Sequence, residues 1–301
     1  MSVALQPVGA RRIALACLEL TKPRIATLVV ITGVPALLLA ADGLPPARIF
    51  WGALLGTLFA AGSAASFNMY VDRDIDGLMR RTASRPLPAG TLPPAAALVL
   101  GFALAAASLA TLAATTNLLA AALGLASILY YAVIYTVLLK RRTPQNIVIG
   151  GGAGASAPLI AWAAVTGEVG LAAVLLAAIV FFWTPPHFWA LALYRRDDYE
   201  RAGIPMLPVT HGEPATRRWI LGYTVLLVPI TLAVWPLGVT GALYGVPALL
   251  LGAAFIGLAM RLVRHPEVAN AVGLFRFSIL YLFALFALMT ADVVARSVLG
   301  A

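Results

Sequence analysis

At 301 residues, 61% of them hydrophobic and only 11% charged, with a mean hydropathy of +0.93, the chain is too apolar for a water-soluble domain, which sits near half apolar and a quarter charged. A net charge of +9 would suggest nucleic acid in a soluble protein, but in so apolar a chain the basic residues are topology markers, and nucleic acid is excluded as a partner. Cys17 is the single cysteine, which excludes an internal disulfide and any cysteine-based metal site.

Arg11 and Arg12 precede the apolar stretch 13–18, which runs straight into Glu19, Lys22 and Arg24 and is too short for a signal peptide. Residues 1–24 read as a cytosolic lead-in to a single integral membrane domain covering 1–301. Nine stretches then reach, or nearly reach, the length that crosses a bilayer: 25–41, 49–70, 94–114, 118–139, 147–165, 171–193, 219–237, 242–262 and 272–299. With no β-barrel alternation, the fold class is all-α: a polytopic membrane bundle of about nine helices.

The connectors alternate in charge. Those at 41–47, 115–117, 166–170 and 238–241 carry almost no positive charge. The others hold Arg73, Arg80, Arg81 and Arg85; Lys140, Arg141 and Arg142; Arg195, Arg196, Arg201, Arg217 and Arg218; Arg261 and Arg264. Arg48 and Arg296 are left on the opposite side. The positive-inside rule places the N-terminus and the basic loops in the cytoplasm and the C-terminus outside a cell membrane.

The second span ends in an acidic run. Asn68, Asp72 and Asp76 recur every fourth residue, so on a helix they descend one face within an arc of about 80°, while Asp74 points elsewhere. Stacked oxygen donors suit Mg²⁺, which takes one or two carboxylates and completes its shell with water and substrate phosphate. Arg80, Arg81 and Arg85 follow as donors to phosphate oxygens. The bland alternative is a solvated loop of mixed charge. Against it, three acidic residues crowd five positions where an apolar helix ends.

The sixth span ends in a second acidic run. If helix resumes at Pro186, His187, Tyr194 and Asp198 share an arc of about 40°, His187 lies about 16 Å deeper than Asp198, and Asp197 falls to one side. Both acidic runs follow even-numbered spans and face the same side, so together they could clamp one diphosphate. Asn146 reads as a helix cap or a substrate contact. The glycine-rich run 150–154 lacks the Lys-Ser/Thr of a phosphate loop and reads as close helix packing. Lys22 and Arg24 reach an anionic group or snorkel. Trp183, Phe188 and Trp189 line a cavity or the interface, and His211 and His265 are solvated.

The pattern Asn68-x-x-x-Asp72-x-x-x-Asp76 with Arg80 and the segment Arg85-Pro86-Leu87-Pro88 resembles the first signature of the UbiA-type intramembrane prenyltransferases. Residues 20–24 (LTKPR), 142–146 (RTPQN), 183–189 (WTPPHFW) and 202–208 (AGIPMLP) resemble the branch of that family that farnesylates haem. The resemblance implies farnesyl diphosphate as donor, haem B as acceptor through a vinyl group, Mg²⁺ as cofactor, and haem O for terminal oxidases as product. It further implies metal at Asn68, Asp72 and Asp76, with a second ion near Asp197 and Asp198. Asp72, Asp76, Asp198 and Tyr194 would surround the departing diphosphate. Arg80, Arg81, Arg85, Lys22 and Lys140 or Arg142 would neutralise it. His187 would ligate haem iron, accept a proton, or hydrogen-bond a neighbouring helix, and an oxidase assembly protein or haem A synthase would be a partner. Where the family's second motif opens with Asp, this chain has Tyr194, which implies a weaker second metal. Rival readings are transfer to an aromatic acid such as 4-hydroxybenzoate, a haem-binding assembly factor, and a secondary transporter. A transporter would place its charges near the midplane rather than at the ends of spans.

Overall fold

In a computed structural model of the protein, residues 9–299 are described; residues 1–8 of the expected lead-in lie outside them. The chain runs as α1 (Ala10–Leu20), α2 (Pro23–Ala40), α3 (Ala47–Asp76), α4 (Pro94–Thr115), α5 (Leu118–Leu129) with a π-helical continuation (Tyr130–Leu139), α6 (Asn146–Gly154), α7 (Ser156–Thr166), α8 (Leu171–Tyr194), α9 (Arg196–Arg201), α10 (Leu207–Thr210), α11 (Gly212–Ala233), α12 (Ala242–Arg264) and α13 (Val268–Leu299). The regular structure described is helical throughout, as lipid demands of a backbone that must satisfy its own hydrogen bonds. The described part of the lead-in is itself a helix, α1. It buries Ala16 and Leu20 and leaves Ile13, Leu15 and Leu18 exposed beside Arg11 and Arg12, the pattern of a helix lying along a membrane surface.

Among the described residues eight segments are long and apolar enough to cross a membrane, α5 with its π-helical continuation and α6 with α7 each counting as one. The sequence leads one to expect nine. The difference is the expected span 219–237. Its helix, α11, begins at Gly212, so Glu213, Arg217 and Arg218 fall in its first turns, and it stops at Ala233. Those charges dilute its apolar character. α11 is nonetheless packed between α8 and α12, and near its far end the Tyr244 hydroxyl donates to Thr231 O at 2.9 Å.

Helices adjacent in sequence pack side by side, and α13 returns to α2, so the bundle closes on itself. One apolar core joins α8, α11, α12 and α13; a second joins α2, α3, α4, α5 and α7. Large apolar side chains such as Val99, Phe102, Leu118 and Leu250 face outward, where lipid replaces water as the solvent. The glycine-rich run does what close packing requires. A Cβ at Gly150 would lie 2.3 Å from Tyr135, and one at Gly152 3.0 Å from the Tyr130 hydroxyl. Their absence seats α6 against the π-helical segment, where Tyr130 donates to Ile149 O at 2.7 Å. That segment also touches α3, and π-helical turns recur at functional sites.

Candidate active site

α3 carries its helix past the apolar stretch to Asp76, so the four-residue spacing produces the expected ladder. Asn68, Asp72 and Asp76 are 2%, 0% and 0% exposed, whereas the Asp74 side chain is 61% exposed and pairs with Arg141. Buried carboxylates need partners, because desolvation of an isolated ion costs several kcal/mol. Partners come from outside α3. Lys140 pairs with Asp72 Oδ2, and Arg85 Nη1 donates to Asp76 Oδ2 at 2.7 Å. Lys22 Nζ donates to Asn68 Oδ1 at 2.5 Å. Asn68 Nδ2 in turn donates to Asp72 Oδ2 at 2.6 Å and to Thr136 Oγ1 at 3.1 Å.

Lys22 is aimed into this group by the turn between α1 and α2. Its backbone is left-handed, φ 50° and ψ 59°, a region that costs a residue with a Cβ about 1–2 kcal/mol. Burial, reinforced by Arg85 and Lys140, lowers its ammonium to about 7, against the pull of Asp72 and Asp76. The ammonium also sits 5.9 Å over the Tyr131 ring. Arg85 and Lys140 balance Asp76 and Asp72, and Lys22, charged below about pH 7, adds positive charge beyond that balance, so an anion is a fitting ligand.

Two oxygens are left over. Among the described residues Asp72 Oδ1 and Asp76 Oδ1 are buried without a hydrogen-bond partner, and Arg141 comes no closer to the former than 3.8 Å. An unsatisfied buried acceptor costs about 1–3 kcal/mol. Two hard carboxylate oxygens on one helix face therefore fit a cation such as Mg²⁺. Asn68 Oδ1 is already taken by Lys22. Among the described residues no three His, Cys, Asp or Glu side chains converge to hold a metal ion, so the protein would supply only part of a shell.

At the second motif the structure corrects the expected geometry. α8 runs unbroken through Pro185 and Pro186 to Tyr194, and the chain breaks at Arg195 before α9. Helix therefore does not restart at Pro186. Prolines are tolerated within helices of an apolar bundle because neighbouring groups take up the freed backbone. The break carries Asp198 off the arc shared by His187 and Tyr194. Asp198 is buried and pairs with Arg201; Asp197 is exposed in the first turn of α9. Together with Arg80, Tyr194, Arg195 and Arg201 they line a cavity of about 230 Å³. Arg80 thus reaches from the first motif's loop into the second. Arg81 lies beside Tyr199, whose phenol is pushed up by burial while Arg81 acts against that shift.

His187 sits two turns earlier in α8 and does not line this cavity, though Phe275 packs on both it and the cavity-lining Tyr194. Its Nδ1 is 2.7 Å from Ser278 Oγ on α13, so of the sequence-stated roles the bond to a neighbouring helix is formed. Other expectations divide. Arg142 is exposed and forms no ion pair among the described residues, while Lys140 reaches the ladder. Asn146 is not a cap: Gln145 holds that position, and Asn146 Nδ2 donates backward to Thr143 O at 2.7 Å. Trp189 is buried in the core against Tyr223, and His211 and His265 are exposed. Thr136, Tyr131 and Arg141 were not singled out by sequence. The first two sit on a π-helical stretch, so the usual 3.6-residue period does not bring them to the ladder's face.

A profile of the UbiA prenyltransferase family matches residues 29–294. The chain is 51% identical to the protohaem IX farnesyltransferase of Acidiphilium cryptum (strain JF-5) over 91% of its own length and 89% of that protein's. It is also 51% identical to the protohaem IX farnesyltransferase of Erythrobacter litoralis (strain HTCC2594), over 91% and 90% of the two chains. Among solved structures, a digeranylgeranylglyceryl phosphate synthase superposes with a TM-score of 0.79 at 18% identity, covering 95% of this chain and 99% of that one. A UbiA homolog from Archaeoglobus fulgidus bound to GPP and Mg²⁺ superposes with a TM-score of 0.64 at 20% identity, covering 93% and 99%. At those identities the two structures speak for the fold.

Proposed function

The chain belongs to the UbiA prenyltransferase family, and from that premise we propose that it is an integral membrane enzyme transferring the farnesyl group of farnesyl diphosphate to a vinyl group of haem B, with addition of water, to give haem O. The acceptor rests on the near-full-length relatives that are protohaem IX farnesyltransferases. The observation that carries prenyl transfer is the ladder: two buried carboxylate oxygens without a hydrogen-bond partner among the described residues, with Lys22, Arg85 and Lys140 around them.

Mg²⁺ held by Asn68, Asp72 and Asp76, with a second ion at Asp197 and Asp198, would supply the charge that stabilises the leaving diphosphate. The Mg²⁺ bound to the Archaeoglobus fulgidus homolog supports that cofactor. Arg85, Lys140 and Lys22 bind phosphate oxygens, exchanging their carboxylate or amide partners for the diphosphate as it arrives. Arg80 and Arg81, exposed on the loop after α3, close on it from the second motif. Tyr194 presents its phenol at the cavity wall and takes the place of a ligand carboxylate. The farnesyl chain lies among apolar helices, which keep water from the allylic cation until the haem vinyl group attacks. Water then captures the cation formed on the haem side chain. His187 is the candidate contact to haem.

The basic residues at the ends of α3, α8 and α12 support a reading in which the motifs and the N-terminus face the cytoplasm and, with α11 crossing as well, the C-terminus lies outside. An oxidase assembly protein or haem A synthase is the expected recipient of haem O. The test is a membrane assay with haem B, Mg²⁺ and farnesyl diphosphate, read by mass spectrometry. A haem product heavier by one farnesyl group plus water is expected. A prenylated aromatic acid in its place would move the acceptor and keep the family chemistry.

A further inference from the structure

His187 is held on three sides. Its ring stacks on Trp183 at 4.2 Å and 20° and on Phe275 at 4.7 Å and 25°, so both faces of the imidazole are covered. Its Nδ1 meets Ser278 Oγ at 2.7 Å. The residues interlock one helical turn apart on each helix: Trp183 and His187 on α8, Phe275 and Ser278 on α13. Ser278 ties the arrangement together a second time, because its carbonyl accepts the Trp183 indole N–H at 2.7 Å.

The hydroxyl of Ser278 settles which nitrogen carries the proton. Ser278 Oγ lies 2.6 Å from Phe275 O, a separation two oxygens adopt only with a proton between them. A serine hydroxyl has one proton to give. With that proton on Phe275 O, Ser278 Oγ can only accept from His187, so Nδ1 carries the hydrogen. In the neutral imidazole the lone pair then sits on Nε2, which has no hydrogen-bond partner among the described residues. The side chain is 9% exposed, and its faces and Nδ1 are covered. Such a nitrogen, fixed in tautomer and ring plane by a hydrogen bond at its other nitrogen, is how proteins present a histidine to a metal.

We propose that Ser278 is a positioning residue whose hydroxyl fixes His187 as the Nδ1–H tautomer, so that Nε2 ligates the iron of the haem substrate and sets the porphyrin's place against the prenyl site. This rests on the haem-acceptor reading above. Neither residue touches the acidic ladder, so diphosphate binding is separable from it.

The experiment uses the full chain in lipid nanodiscs, titrated with haem B alone and followed by Soret absorption and, for the ferrous complex, by the iron–histidine Raman stretch. The same variants are titrated with farnesyl diphosphate and Mg²⁺. Wild type is expected to show an imidazole-ligated Soret band. His187→Ala should lose it and regain it with added imidazole. Ser278→Ala should keep the ligand but lower the iron–histidine stretch and weaken haem binding about tenfold, while Ser278→Thr, which keeps the hydroxyl, restores both. Farnesyl diphosphate binding should be unchanged in all three. An unaltered Soret band in His187→Ala overturns the ligand. An unaltered stretch and affinity in folded Ser278→Ala overturns the clamp. A wild-type chain that binds farnesyl diphosphate but no haem overturns the acceptor reading itself, and the clamp with it.

Discussion

The two acidic motifs are built to different standards. The first lies on one uninterrupted helix, with its two ladder carboxylates, Asp72 and Asp76, buried and each matched by a cation from outside that helix: Arg85 from the loop after α3 and Lys140 from the end of the π-helical segment. The second straddles a break at Arg195. Its buried carboxylate, Asp198, pairs with its near neighbour Arg201 and with no other cation among the described residues, and Asp197 stands exposed. Preorganised charge needs no rearrangement as the reaction proceeds. A motif held by long-range partners can therefore carry most of the stabilisation, and a locally held one can lose an aspartate to Tyr194 and still contribute.

That contrast gives an ordered set of tests on the farnesyl transfer assay. Asp72→Ala should cost the most, a fall in kcat of about 10²–10³-fold that saturating Mg²⁺ does not recover; near-full turnover would remove the ladder from the mechanism. Lys140→Met should come next. Losing one charge-assisted hydrogen bond worth about 1.5–3 kcal/mol would raise KM for farnesyl diphosphate roughly 10- to 100-fold. Arg142→Met, at an exposed position without an ion pair among the described residues, should stay within about twofold, since isolated surface charges contribute about 0–1 kcal/mol. Equal effects of the two would mean that the phosphate lies further out than the ladder. Asp198→Asn should reduce kcat on the order of tenfold, one step of about 1.4 kcal/mol, with part of the loss recovered by raising Mg²⁺. A loss as deep as that of Asp72→Ala would erase the asymmetry. Tyr194→Asp, which adds a carboxylate to the weaker motif, should lower the Mg²⁺ concentration for half activity a few-fold, kcat being little changed.

Much of the site was legible because its signals are local. The ladder is a four-residue spacing on a helix, and Asn68, Asp72 and Asp76 fall buried on one face as that spacing requires. The glycines at 150–152 signalled close packing and received the rings of Tyr130 and Tyr135 and the side chain of Thr184. The misreadings come from places where local rules compete. Pro186 suggested a new helix start, yet the bundle carried α8 through both prolines. Asn146 had the composition of a cap, but its amide turned back to Thr143 O. Because α11 begins at Gly212, Glu213, Arg217 and Arg218 fall inside it, and it does not count among the helices apolar enough to cross.

The sequence by itself determined that the chain lives in lipid, that its backbone must be helical there, and that two acidic runs end spans on the same side, because composition and period act within a turn or two of each residue. Only the tertiary structure decided who answers those charges. Lys22, 46 residues from Asn68, and Lys140, 68 residues from Asp72, meet the ladder because α2 and the π-helical segment both pack on α3 and bring three helix ends together. Likewise Ser278 meets His187 across 91 residues because α13 packs on α8. Pairing at that range depends on how helices are placed around the bundle, and no local period encodes it.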